Sequence, residues 1–443
     1  MSRTTGSPLY VLMVSLVAAL SGLLFGYDTT IINGALVFLR DAFHMTTEQV
    51  EYAASALLVG CLFGAATAGG LSDRFGRKWV LALTGAVFAI SSILTALPHS
   101  LLMFVAARFV AGLAIGVASV IAPMYIAEVA PARARGFLVS LNQLMIVSGI
   151  LAAYVVSYFL KDFGALSWRL MFASAAIPSL ALMLGVLAIP ESPRWLMSKG
   201  REDAARAVIH RVESAAVSET DIEAMRHLTG QGEDGWWSKL ARVPKTRMMV
   251  ALLVCVFSQI TGINAILYYG SIFITDHITH DVGSSLGINV AIGAVNFVFT
   301  IVAMALIDRA GRKALLLCGA LVMSVAMFGL MALLESRSTN VALIVGCILA
   351  YIAAFATSFG PVTWVLISEL FDTKSRATVM SIATAVLWLS CLGLTSTFLT
   401  VVKALGIAGA FGLFGGVCFL ALVFVWLAVP ETRGEVLDVH TET

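Results

Sequence analysis

Twelve stretches of this chain, spread between residues 9 and 429, are apolar for about 20 residues or more and call for a solvent other than water. A helix rises about 1.5 Å per residue, so a hydrocarbon layer of about 30 Å takes roughly 20 residues to cross. Backbone amides cannot stay unpaired in hydrocarbon, which restricts spanning segments to helices and closed barrels. These runs lack the period-two alternation of a barrel strand. The expected fold is an all-α membrane protein of twelve transmembrane helices. Composition agrees, since 59% of the 443 residues are hydrophobic and 12% charged, values that exclude a soluble multidomain chain. The first run is much longer than the apolar core of a signal peptide and has only Arg3 as basic leader, so it reads as a retained helix.

The charges are few but unevenly placed. With the N-terminus in the cytoplasm, 22 of the 28 Lys and Arg fall in inner loops and tails, five (Arg40, Lys161, Arg169, Arg337, Lys403) fall outside, and Arg108 lies within a run. The positive-inside rule then puts both termini in the cytoplasm and the chain in the cytoplasmic membrane, with the lipid bilayer as its surroundings. Nothing points to a nucleic-acid partner, and a monomer is expected. Cys61, Cys255, Cys318, Cys347, Cys391 and Cys418 all fall in runs without C-x-x-C spacing, as small apolar packing residues. His277 and His280 are two loop histidines without further ligands, so no metal is expected, nor any other cofactor. No nucleophile with a base, metal cluster or phosphate loop is present, which speaks against an enzyme.

The sequence is written twice. Asp73-Arg74-Phe75-Gly76-Arg77-Lys78 returns as Asp308-Arg309-Ala310-Gly311-Arg312-Lys313. Glu128 precedes Arg135 by seven residues as Glu369 precedes Arg376, and Pro190-Glu191-Ser192 returns as Pro430-Glu431-Thr432. The expected organisation is a six-helix bundle over residues 1–198, a cytoplasmic linker over 199–247 with two or three short helices, and a second six-helix bundle over 248–443. Ser218 with Asp221 has the spacing of a capping box inside the linker.

These motifs identify the chain as resembling the sugar porter family of the major facilitator superfamily along essentially its whole length. Gly26-Tyr27-Asp28, the two Asp-Arg-x-Gly-Arg-Lys loops, Pro190 to Leu196, Gln259 to Tyr269 and Pro430 to Gly434 match the family's signatures in order. The resemblance implies two six-helix bundles with a sugar site between them at mid-membrane, exposed alternately to either side as the bundles rock.

Only Asp28 and Arg108 are ionisable well away from the ends of the runs. A charge in mid-bilayer costs about 3 kcal/mol on insertion scales and by default marks an ion or proton path. Counting residues from the outer ends places both at similar depth, so they can pair. The plainer alternative is an ion pair that only pins helix 1 to helix 4, although buried pairs are poor stabilisers. In the family's proton-coupled xylose symporters the matching Asp and Arg form the proton-coupling pair, whereas facilitative glucose transporters have Asn at the helix 1 position. No histidine lies in a run to serve as a relay.

A monosaccharide needs amides for its hydroxyls and an aromatic face for its C–H surface. Gln143, Gln259, Asn264 and Asn296 lie within runs, and Trp364 follows the helix-breaking pair Gly360-Pro361. Each amide alone reads equally as an interhelical tie; similarity to the family's sugar-contacting positions favours the site, with Phe25, Tyr268 and Tyr269 as further aromatic candidates. Where the family has a second glutamine on helix 7 this chain has Ser258, and on helix 11 it has Leu387 and Cys391 in place of polar groups, a drier half-site that favours a pentose or a less polar ligand, or else weaker binding. Arg77, Glu128, Arg135, Glu191, Arg312, Glu369 and Arg376 are expected to form salt bridges between the bundles that close the cytoplasmic side. The first reading is a proton:monosaccharide symporter, the second a facilitative uniporter, the third a transporter-like sugar sensor, for which the tail after Pro430 is too short to supply an output element.

Overall fold

The computed structural model describes residues 8–131, 134–212, 243–371 and 373–433, with the side chains of 373–377 likewise outside the described set. Among these residues twelve helices are long and apolar enough to cross a membrane: span 1 (Pro8–Ala42), 2 (Thr47–Phe75), 3 (Arg77–Ala96), 4 (Leu101–Val129), 5 (Arg135–Phe159), 6 (Lys161–Ala188), 7 (Lys245–Thr279), 8 (Val282–Ala310), 9 (Arg312–Glu335), 10 (Val341–Leu370), 11 (Thr378–Thr395) and 12 (Phe398–Ala428). Leu102, Leu184, Phe419 and Trp426 are each more than half exposed on these helices, the pattern of a surface made for lipid. Of the six cysteines, Cys318 is exposed and Cys347 half-buried, so those two do not pack inside as expected.

Span ends carry ordinary caps: Ser100, Asp281 and Asn340 accept from the N–H groups of Met103, Ser284 and Leu343. Spans 7 and 10 are broken near their middles, and span 12 bends at Gly406, with φ 73°. In span 7 the first helical segment stops at Ile260 and the second starts at Ile263, with Gly262 between at φ 106°. A Cβ on Gly262 would lie 2.8 Å from the Phe414 ring, so both backbone and space require glycine. Span 10 breaks at Ser358, two residues before the Gly360-Pro361 pair expected to break it. Pro361 sits instead in the first turn of Phe359–Leu370, where an N–H would have had no helical partner.

After span 6 come short helices at Pro193–Ser198 and Glu202–Val212. The Ser218 and Asp221 pair, with the rest of the linker to residue 242, lies outside the described residues.

Two compact units divide the chain. One comprises Met1–Asp28, Val59–Gly149 and Phe172–Asp234; the other comprises Thr29–Leu58, Ile150–Met171 and Gly235–Thr443. This partition cuts across the sequence repeat. Spans 3 and 4 belong wholly to the first unit and spans 7 to 12 to the second, while spans 1, 2, 5 and 6 pass from one to the other. Within the first unit span 3 packs on spans 4 and 6; within the second, span 9 packs on spans 10 and 12. The repeat is therefore visible in packing as well as in sequence. Below, the end at which odd-numbered spans begin is the terminal face, and the other end the opposite face.

Candidate functional site: a buried charge pair, an amide cluster and a polar seam

Asp28 sits on span 1 with 2% exposure, and Arg108 on span 4 is fully buried. One guanidinium nitrogen, Nη1, donates to both carboxylate oxygens at 2.6 and 2.7 Å; Nη2 donates to the Asp28 carbonyl oxygen at 3.3 Å, and Nε meets no acceptor. This is not the two-nitrogen fork of the strongest carboxylate pairs. The Phe172 ring covers the guanidinium with its centroid 5.2 Å from the central carbon, a cation–π contact. Span 1 is held by backbone-to-backbone packing on span 5. A Cβ on Gly26 would fall 1.9 Å from the Ile146 carbonyl oxygen, and one on Gly149 2.1 Å from that of Leu23, the small-residue contact by which membrane helices approach closely. One carboxylate balanced by one cation in a dry place can take up a single proton, which turns a neutral pair into a lone positive charge.

In the second unit, the two sides of the span 7 break are tied by an amide cluster. Asn264 Nδ2 donates to Gln259 Oε1 at 2.8 Å, and Gln259 Nε2 donates to Ser258 Oγ at 3.0 Å. Gln259 thus has both ends of its amide engaged, and Asn264 keeps its own carbonyl for a further donor. Asn296 on span 8 is buried, and Trp364 on span 10 is half-buried in the same unit. Tyr268 and Tyr269 are buried; the Tyr269 hydroxyl donates to the Thr395 carbonyl at 2.5 Å while its ring stacks on Phe398. Leu387 and Cys391 are buried, as is Ser258. Gln143 and Phe25 lie half-buried in the first unit, and Gly360 is half-buried in the second.

Toward the opposite face, a polar seam runs through the second unit that sequence reasoning missed. Fully buried Asn33 accepts from the Ser271 N–H at 2.7 Å and from the Ser271 hydroxyl, and donates to the carbonyls of Ile266 and Leu267 at 3.1 and 2.9 Å. Asn289 Nδ2 donates to Ser271 Oγ at 3.0 Å. Nearer the surface Arg40 grips Asp276 with two nitrogens at 2.8 and 3.3 Å, and buried Glu51 of span 2 accepts from Thr400 of span 12. Asn33 and Asn289 are amides within apolar runs, the same signal that selected Gln143, and Glu51 is a carboxylate one turn inside span 2.

The model of the family described as "Sugar (and other) transporter" matches residues 14–442. The chain belongs to that family. This sugar transporter is 34% identical over 468 residues to the D-xylose-proton symporter of Escherichia coli K12, covering 97% of the chain and 94% of that protein. It is 36% identical over 466 residues to a glucose transport protein of Synechocystis, covering 99% and 98%. Among solved structures, that of the xylose transporter XylE from E. coli in a partially occluded inward open conformation aligns with a TM-score of 0.84 at 32% identity, covering 97% of this chain and all of that one. The proton:xylose symporter XylE bound to 6-bromo-6-deoxy-D-glucose aligns with the same TM-score and identity, covering 97% and 98%.

At its terminal face the transporter repeats one arrangement of side chains almost atom for atom. Arg77 donates through Nε and Nη2 to Glu128 at 3.1 and 3.2 Å and through Nη1 to Asp73 at 3.0 Å. Arg312 reaches Glu369 through the same two nitrogens, at 3.0 and 2.7 Å, and Asp308 through Nη2 at 2.9 Å. Glu191 caps span 3 through the N–H groups of Arg77 and Lys78, and Glu431 caps span 9 through those of Arg312 and Lys313. Ser192 and Thr432 donate their hydroxyls to Glu128 and Glu369. Gly76 and Gly311 precede the two spans at φ 94° and 89°, with a Glu191 or Glu431 oxygen within 2.5 Å of where a Cβ would be. These ion pairs correct the expectation of bridges between the bundles: each set closes within its own six-helix half. Arg135 is exposed at the start of span 5, and the Arg376 side chain is outside the described residues. The two caps differ in charge balance. Burial pushes the Glu191 carboxyl above the ordinary range, whereas at Glu431 burial is outweighed by the surrounding N–H donors and the carboxyl is held below it.

Proposed function

We propose that this sugar transporter is a proton-coupled monosaccharide symporter of the cytoplasmic membrane, with both termini in the cytoplasm, and that it works by alternating access. The observation that carries the reading is the Asp28 and Arg108 pair. It is buried, joined through one nitrogen, and placed where span 1 leaves one compact unit for the other. Protonation of Asp28 removes the counter-charge of Arg108 and loosens span 1 from span 4. The residues proposed to meet the sugar are Gln143 and Phe25 in the first unit and, in the second, Gln259, Asn264 and Asn296 with Trp364, Tyr268, Tyr269 and the backbone at Gly360. The buried Leu387 and Cys391 favour a pentose over a hexose. The relatives include xylose- and arabinose-proton symporters and glucose transporters alike, which supports a monosaccharide as the substrate class.

The charge bias toward the terminal face supports a cytoplasmic assignment for it, which makes the opposite face the outer one. The Asn33, Arg40 and Glu51 contacts then close the outer side here. They must part when the outer side opens. The two charged knots of the terminal face ride with their halves as rigid fastenings at the cytoplasmic gate.

Uptake of a labelled sugar panel into proteoliposomes, with and without an imposed pH gradient, tests the reading. Gradient-driven accumulation of a pentose is the expected result. Equilibration without accumulation would establish the uniporter, and binding without uptake the sensor.

A further inference from the structure

A second carboxylate, apart from the coupling pair, is buried without a basic side chain bonded to it. Glu51 is 4% exposed, and its two oxygens accept from the Thr400 backbone N–H and the Thr400 hydroxyl, each at 2.8 Å. Thr400 is the third residue of span 12, whose first N–H groups have no partner within the helix. The helix's own cap position, Thr397, makes no capping bond; its hydroxyl donates back to the Gly393 carbonyl. The cap is therefore lent by span 2, 349 residues away, and its negative charge suits the helix N-terminus. Six residues on, Gly406 takes φ 73° with nothing within 4 Å of its Cβ position. Residues 398–405 thus form a short helical segment, bent off the rest of span 12 by a glycine and held at its start by Glu51. Beside it lies a cavity of about 250 Å³ lined in part by Val50, Phe398, Val402, Lys403, Asp276 and His277.

We propose that Glu51 is a proton-released latch on this segment: ionised, it holds span 12 against span 2, and protonated by acid on the outer side, it lets the outer mouth open. The inference rests on the alternating-access reading above. A carboxylate accepts from both Thr400 donors, whereas the protonated group keeps one free acceptor oxygen and turns a hydroxyl toward the other donor. The charged and titratable groups around the latch are Glu48 on its own helix, Lys403 one turn along span 12, Tyr269 of span 7, and the Arg40, Asp276 and His277 group across the cavity. The latch moves no sugar and no coupled proton; it sets how often the outer side opens.

The test is a distance measurement between spin labels at Thr46→Cys and Leu405→Cys, both exposed positions, in lipid nanodiscs with Cys318→Ser and Cys347→Ser. Glu51→Gln, which keeps the shape and loses one acceptor, should raise the long-distance population about tenfold near pH 7.5, the order of one charge-assisted hydrogen bond. Thr400→Val should shift it the same way by less. In an Asp28→Asn background acidification of the outer side should lengthen the distance, and adding Glu51→Gln should erase that response while His277→Gln leaves it. Unchanged distances in both Glu51→Gln and Thr400→Val, or an acid response that disappears with His277, would overturn the latch. Because the distances report no transport, loss of the symport reading at Asp28 leaves this result separately legible.

Discussion

Replacing Asp28 by Asn preserves side-chain volume and one oxygen, so Arg108 Nη1 keeps one of its two carboxylate contacts, now 2.6 and 2.7 Å. What is lost is the negative charge and the titratable carboxyl in the middle of span 1. Truncating one member of a buried ion pair costs about 3 to 5 kcal/mol of stability; the remaining oxygen places this variant near 3, so it should fold with a lowered melting temperature. The transport consequence is larger. One proton moving down 100 mV supplies about 2.3 kcal/mol, and at about 1.4 kcal/mol per factor of ten that sustains roughly fiftyfold accumulation. Asp28→Asn should reduce the ratio to one while sugar binding and exchange across the membrane persist. Asp28→Glu, which restores a titratable carboxyl, should regain part of the accumulation. The assay is uptake into liposomes with an imposed gradient, paired with a pH electrode to record sugar-induced proton movement. Undiminished accumulation with Asn at position 28 would refute the coupling role and leave the pair as a structural tie.

Gln143→Ala and Asn296→Ala should each weaken sugar binding by about 1 to 3 kcal/mol, the cost of a buried hydroxyl left unpaired, as read by titration calorimetry; full affinity in both would make these amides helix ties. Gly26→Ala puts a methyl 1.9 Å from the Ile146 carbonyl oxygen and should cost about 1 to 3 kcal/mol through overpacking, seen as a lower melting temperature, and an unchanged one would contradict the close approach of spans 1 and 5. Glu431→Gln should remove a helix cap worth about 1 kcal/mol. Because the Glu431 carboxyl is held below its ordinary value when folded, the wild-type advantage is full above the ordinary glutamate range and fades as pH falls through the lowered value; a difference independent of pH would argue against a charged cap.

The twelve spans were legible because hydrocarbon imposes a length and a composition that no loop imitates. Asp28 and Arg108 were legible for a related reason, being the ionisable groups farthest from the ends of the runs. The terminal-face knots were half legible. The repeated spacing marked Glu128 and Glu369 as paired groups, but Glu128 bonds Arg77, 51 residues earlier, and not an arginine of the other half. Sequence spacing reports which residues recur, while the partner is chosen by how span 3 packs on span 4. The break in span 10 was misplaced because Gly360-Pro361 is a strong breaking signal that a helix start can absorb, whereas Ser358 carries no compositional mark. Asn33 carried the same mark as Gln143, an amide within an apolar run, but its partnership was not legible: Ile266 and Ser271 lie more than 230 residues along the chain, and only the fold brings them together.

Span 1 has one further consequence for how a proton is felt at a distance. Asp28 and Asn33 are five residues apart on one helix, about 7.5 Å along its axis and about 140° around it. One side of the helix is gripped by Arg108 and, within two turns, nearly the other side is gripped by Ser271. A rod clamped at two points on opposing sides responds to the release of one clamp by twisting about the other. In the proposed cycle, neutralising Asp28 would therefore act as a torque on span 1 about Asn33, transmitted through the stiffness of a turn and a half of backbone.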